Sequence, residues 1–501
     1  MSVPFPQING LSAADISNIS IITLQSMSSD QLASINPNSI SGLTNQQLQS
    51  LSTAAIGAFL NNQWAAFNSV QIGALSSTQV GSIPSNRIGS ISATAIPGFT
   101  SAQIAVLSMS QIAAFTPEQY AAFTGQQLGY FTATQLSWFS PILSPTTTPQ
   151  QIAVFTTQQI QNFTQTQIQN LTQNQVVAFT SPQWAAWSNT QLGWLSPTQF
   201  SWIAPSAIVG LTVSQWSGIS ASQVGQMTNA QLLALSDTVL SNLSQAQLQA
   251  MSNVQLSQII PNRVATLSAN QCSYLSISQI GALSNQQLTS FSAVQIPGFS
   301  QIQIQAIPVS SWPSLLPSQI AALTATQWLV VSQGQLQSMT NSQIVAIPVS
   351  MVPNLTPSQI SEFLPGQFAV FTTQMVMALT NAQIQSIPIA NIQSMTPSQV
   401  NVLSVSQIGA LSNTQITSFN QQQLNALSTS QLQAITISQL QALTNQQIAW
   451  LTNSQVASLT MLQVQSLLPS QLGSMSPTQL DAIPSAYWSA ISPSQMAAIV
   501  N

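Results

Sequence analysis

An apolar residue recurs every eight positions from Leu11 to Ile499 in one unbroken frame, and a fold for this chain must respect that period. The steps of eight land on 62 positions, and only Thr147 among them is not apolar. A second series, offset by five residues, runs from Ile16 to Met496 over 61 positions and fails only at Ser144. A unit of eight residues cannot bury a core alone. The units must therefore stack on their neighbours as a quasi-one-dimensional solenoid.

A typical octad reads Phe115-Thr116-Pro117-Glu118-Gln119-Tyr120-Ala121-Ala122. Positions are numbered from the apolar residue, so Ser or Thr stands second, Gln fifth and the second apolar residue sixth. Ser/Thr followed three residues later by Gln is the capping box of a helix start. The hydroxyl accepts from the backbone N–H of the Gln, and the Gln side chain reaches back to the cap's own N–H. The apolar residues before the cap and after the Gln form the hydrophobic staple.

Proline supports this reading, because its fixed φ and missing N–H suit the first helical position and disrupt later ones. Fourteen of the 27 prolines occupy that position, among them Pro117, Pro197, Pro317 and Pro477. Asp15, Asp30, Glu118 and Asp237 lie in the first turn, where the helix dipole favours negative charge; Glu362 and Asp481 do not.

The octads cannot fuse into one helix. At 100° per residue the apolar stripe would advance about 80° per repeat and wind round the whole surface. A flat strand fails because apolar spacings of five and three place successive apolar residues on opposite faces. The pattern predicts an all-α, elongated solenoid of about 61 octapeptide repeats, each a short capped helix. A β-solenoid with turns inside each octad is the alternative. With helices stacked at about 10 Å and two or three octads per turn, the rod would be roughly 200–300 Å long.

Residues 1–10 precede the repeat and are expected to form an extended arm or cap, and residues 11–501 a single continuous solenoid. The weakest octad has Leu143 for Gln and Ser144 for the apolar residue among Pro141, Pro145 and Pro149, so a kink is expected at 140–149. A local period of 40 links Ile307-Pro308-Val309-Ser310, Ile347-Pro348-Val349-Ser350 and Ile387-Pro388-Ile389-Ala390. Duplication of five-octad blocks accounts for it; a repeat in geometry or assembly is the sharper reading.

Two basic and six acidic residues leave a surface of Ser, Thr, Gln and Asn that hardly responds to pH or salt. There is no His and no Lys, and the six carboxylates are scattered. General base catalysis by His, Schiff-base chemistry, paired-carboxylate hydrolysis and a Cys–His nucleophile lack their parts, so no catalytic residue, cofactor or metal site is expected. Cys272 stands at the second apolar position and reads as a buried hydrophobe. Two arginines cannot neutralise a phosphate backbone, which excludes nucleic acid as a partner. No apolar run reaches membrane-spanning length, and no Sec-type signal peptide is visible.

Two sets of residues are left as candidate contacts. Arg87 and Arg263 replace Gln at the fifth position, as long hydrogen-bond donors or as contacts to an anion or partner. Tyr130, Trp138, Trp194 and Trp202 share the eighth position and could stack sugars or form a contact patch. Asn18, Asn162, Asn170, Asn242 and Asn354 begin Asn-X-Ser/Thr sequons, all at the eighth position. Any Asn there creates one whenever the next cap is Ser or Thr.

The Leu-[Ser/Thr]-x-x-Gln-[Ile/Leu]-x-x octads of residues 11–499 resemble tracts of very large, poorly characterised repeat proteins of bacteria and giant viruses. The resemblance implies a structural role at a surface or in a particle and carries over no site residue. The leading expectation is a non-enzymatic structural protein. It would be a rigid rod that self-assembles into a fibre, coat or spacer, extracellular on a cell surface or part of a virus particle, with itself as chief partner. The alternative is an adhesin or a module that binds glycans or another surface protein through the aromatic row.

Overall fold

The computed structural model describes residues 8–138 and 147–500. Among them are about 54 short helices and no strand, so the chain is an all-α solenoid of octads. The expected arm falls mostly in residues 1–7 and the expected kink mostly in residues 139–146, which lie outside the described residues. The chain divides into two compact units, Met1–Gln258 and Ile259–Asn501.

Nearly every described octad builds one helix of four to six residues; Ile296–Gly298 is shorter and the last helix, Pro493–Val500, longer. In the octad of Leu43, helix Asn45–Ser50 starts after Thr44, whose hydroxyl accepts from the Gln47 N–H at 3.3 Å while Gln47 Oε1 accepts from the Thr44 N–H at 2.8 Å. The helix ends at Leu51, an extended residue with φ −74° and ψ 141° whose N–H donates to the Leu48 carbonyl. The next cap, Ser52, is extended as well. Two successive extended residues thus re-aim the chain between helices, and no described residue has positive φ. Glycine is not needed for the turn, which explains why a chain this repetitive uses it sparingly.

Proline at the seventh position changes the local helix. Pro97, Pro297, Pro313 and Pro353 lie in the 3-10 segments Ala93–Gly98, Ile296–Gly298, Val309–Ser314 and Val349–Asn354. There a proline would remove an i→i−4 hydrogen bond and press its ring on the carbonyl four residues back, so the turn tightens instead. The related octad at Ile387 has Gln393 at that position and keeps an α-helix, Ile389–Ser394.

Within each unit, successive turns are held by the fifth-position glutamine. Gln47 Nε2 donates to the carbonyls of Ile16 at 2.9 Å and Ile19 at 2.8 Å, residues 31 and 28 positions earlier. Gln343 does the same to Trp312 and Leu315, both at 2.7 Å. A turn therefore takes 28 residues, or 28/8 = 3.5 octads, rather than the two or three expected. The half-integer places the fifth position of one turn over the first position of the turn before.

The interior is filled from both apolar series. Phe115, Phe123 and Phe131 form an edge-to-face run with centroids 5.2 Å apart at each step. Trp184 stacks on Trp187 at 4.7 Å. The indole N–H groups of Trp64, Trp184, Trp187, Trp216, Trp312 and Trp328 are buried without a hydrogen-bond partner, so packing outweighs an unmade bond at each.

Candidate functional site

The most organised chemistry in the molecule is the row of fifth-position amides, and it faces inward. The last carbonyls of a short helix have no partner within it. The Gln of the following turn supplies one by donating both Nε2 hydrogens to a helix-end carbonyl and to the first residue after that helix. Its Oε1 takes the N–H of its own N-cap. One side chain thus closes a helix start and a helix end that lie 28 residues apart in sequence. Gln63, Gln231, Gln343 and Gln423 are fully buried in this role.

The hydroxyl cap is dispensable in this arrangement, but the cap N–H is not. At Leu60, Leu316, Leu364 and Leu468 no hydroxyl is present, yet each backbone N–H donates to the Gln three residues on at 2.7–2.9 Å. Where proline takes the cap position there is no N–H to give. The five such octads, at Pro84, Pro308, Pro348, Pro388 and Pro484, carry Arg87, Ser311, Met351, Asn391 and Tyr487 at the fifth position, and none carries Gln. A buried amide oxygen without a donor is costly, and four of the five carry no amide there. Asn391 keeps half the clamp, donating Nδ2 to the Phe363 carbonyl at 2.7 Å.

Arg87 is explained by the same rule. It is half-buried, follows Pro84, and donates Nη1 to Asn61 Oδ1 on the preceding turn at 2.6 Å. Arg263 is also half-buried, at the fifth position of helix Pro261–Val264. The two arginines lie in different units and form no common site within either.

The aromatic row is unevenly exposed. Tyr130 is exposed, and Trp138, Trp194 and Trp202 are half-buried. None of them lines the surface grooves of about 460 Å³ at Trp216 and about 470 Å³ at Gly225, which are walled by small residues such as Ala221, Ser217 and Ala250. Trp138 and Trp194 are 56 residues apart, two turns of 28, and therefore share one side, with Asn162 and Asn170 flanking that line on the turn between. Trp202, one octad on from Trp194, points away from it around the superhelix. The structure thus aligns two of the four and separates the others.

Burial or a close hydrogen bond sets the ionisation of three groups. Burial pushes the Cys272 thiol up to about 12, and it raises the Tyr120 hydroxyl as well, so both stay protonated at neutral pH. Asp15 is held below the usual carboxylate range by the Ser12 hydroxyl at 2.6 Å and the Ser12 N–H at 2.9 Å. Among the described residues no three His, Cys, Asp or Glu side chains gather in a way that could hold a metal ion. No described helix is long and apolar enough to cross a membrane. The sequon asparagines Asn18, Asn162, Asn170, Asn242 and Asn354 are all exposed.

No protein-family model matches the chain, and no curated protein matches it either.

Proposed function

We propose that the chain is a non-enzymatic structural protein, a rod of stacked turns that self-assembles into a fibre, coat or spacer on a cell surface or virus particle. The contrast between its interior and its exterior carries this reading. Inside, an amide clamp recurs at about three quarters of the described octads. Outside, uncharged side chains predominate, equivalent octad positions line up every 56 residues, or two turns, and among the described residues no three His, Cys, Asp or Glu gather as a metal site would need. A surface of this kind offers periodic contacts and little charge repulsion to keep copies apart. Stability of stacked repeats adds up through nearest-neighbour terms, which suits a part whose task is to be long and stiff.

Negative-stain electron microscopy over a concentration series tests the reading. Filaments with a regular axial repeat are expected; single particles at every concentration would contradict it.

One observation favours a second reading, an adhesin or glycan-binding module. Trp138 and Trp194 share a side two turns apart, with exposed Asn162 and Asn170 flanking the turn between, an aromatic and amide combination suited to sugar rings. Substituting Trp138 and Trp194 by Ala would then abolish binding on a glycan array and leave assembly intact. Retained binding would dismiss it.

A further inference from the structure

The 28-residue turn shows which surface residues line up, a relation the octad pattern hides. In the second unit, positions 293, 321, 349, 377, 405, 433 and 461 succeed one another at one turn each, and they read Ala, Ala, Val, Met, Val, Gln and Met. Val349, Met377, Val405 and Met461 are exposed, and so are Val294 and Leu462, beside the two ends of the row. Gln433, the one polar member, turns its amide aside to the Ser458 carbonyl at 2.8 Å and leaves its stem in the row. Glu362, Asp481 and Arg263, the charged residues of this unit, all lie off it.

We infer that this stripe is the face by which two copies of the chain pair side by side, antiparallel, about a two-fold axis at Met377. The inference rests on the self-assembly reading and names its side-by-side contact; a two-fold contact closes on itself, so lengthening into a fibre uses a different, end-to-end surface. Reversal of the row about Met377 brings Val349 against Val405, small Ala321 against long Gln433, and the Ala293–Val294 end against the Met461–Leu462 end. Self-complementarity of this kind is what an isologous interface requires. The row selects a second copy as its occupant in two ways. It holds no charge with which to choose a charged partner, and its apolar groups recur at the pitch of this solenoid, which another copy matches without adjustment.

Its size suits a stable pair. The six steps between its seven positions, at about 10 Å each, give a strip roughly 60 Å long, and a contact width of about 13 Å brings it to about 800 Å² per partner, the standard size of a stable interface.

Sedimentation velocity of the full chain, with Met377→Lys and Gln385→Lys compared against it, tests the assignment. Both positions lie near helix C-termini, where a cation is compatible with the helix dipole, and Gln385 is exposed on another side. The expected result is a dimer in the parent chain, at least tenfold weaker in M377K and unchanged in Q385K. Mild oxidation of Met377→Cys should also give a disulfide-linked dimer that Gln385→Cys does not give; Cys272 is buried and stays out of the reaction. Equal pairing by all three chains, or equal loss in both lysine variants, would overturn the stripe and leave self-association standing. A parent chain that stays monomeric throughout would overturn both.

Discussion

Two consecutive octads, Met339–Ala346 and Ile347–Asn354, differ in one residue that decides how each is joined to the turn before. The first has Thr340 as its cap, and Gln343 takes the cap N–H at 2.8 Å and reaches two carbonyls of the preceding turn. The second has Pro348 in the cap position and Met351 where the amide would stand. A residue with no N–H removes the reason for a buried amide three positions later, and the joint falls back on packing alone. The clamp is therefore a three-partner device, and it is kept only where all three partners exist.

The largest effect should follow from breaking a complete clamp. Gln343→Leu leaves the Thr340 N–H and the Leu315 carbonyl without their partner, while the Trp312 carbonyl keeps only the Leu315 N–H at 3.0 Å. At about 1–3 kcal/mol for each of the two buried groups left unsatisfied, a local loss of roughly 2–6 kcal/mol is expected. It should appear as faster amide exchange at Thr340 and an earlier urea transition. Because neighbouring turns are coupled only locally, distant octads should keep their protection.

A sharper version inserts the same residue into two contexts. Met375 follows Thr372, which has an N–H, and Met351 follows Pro348, which has none. Met375→Gln should stabilise by about 1 kcal/mol, the net worth of a made hydrogen bond, whereas Met351→Gln should not. Adding Pro348→Thr to Met351→Gln should recover the gain, with a coupling on the order of 1–2 kcal/mol in a double-mutant cycle. Equal responses at the two sites would show that the cap N–H is irrelevant.

Cys272 tests packing from the side of chemistry. Its thiol is pushed to about 12 by burial, so its folded value lies above the unfolded one. The stability tied to it is complete below the unfolded value and is lost only as pH rises toward about 12. A thiol reagent at pH 8 should therefore react after unfolding and not before. The smallest effect belongs to Asp15, whose carboxyl is held low by Ser12. Its contribution is present above the ordinary carboxylate value and fades as pH falls through the lower folded one. Acid should fray Ala13–Asn18 first, visible in the amide signal of Ser12.

The helices, their caps and both buried series were legible in the sequence, because capping chemistry is local and Ser/Thr with Gln three residues on specifies it. The Gln was legible only by half. The capping box uses its Oε1, and nothing local tells where Nε2 points. The turn of 28 residues was hidden for the same reason, since it is set by pairing a glutamine with carbonyls 28 and 31 residues back. One sequence signal did bear on it: the five proline-capped octads are without Gln, and four of them have no amide at all, as a buried amide that takes the cap N–H would require. The period of 40 misleads, because 40 residues are not a whole number of turns. The motifs at Ile307, Ile347 and Ile387 are carried nearly half a turn apart at each step, as block duplication allows and a common face does not. Arg87 was legible as a donor in place of Gln, but its partner Asn61 was not.

Disulfide trapping within one turn tests the central claim most directly. Asn189 Nδ2 lies 3.4 Å from Ser217 Oγ, 28 residues on. In a chain with Cys272→Val, the pair Asn189→Cys and Ser217→Cys is predicted to oxidise readily. Pairs of Asn189→Cys with Val213→Cys or Ala221→Cys, which would mark turns of three or four whole octads, should not. Preferential closure of either of those pairs would contradict a turn of three and a half octads.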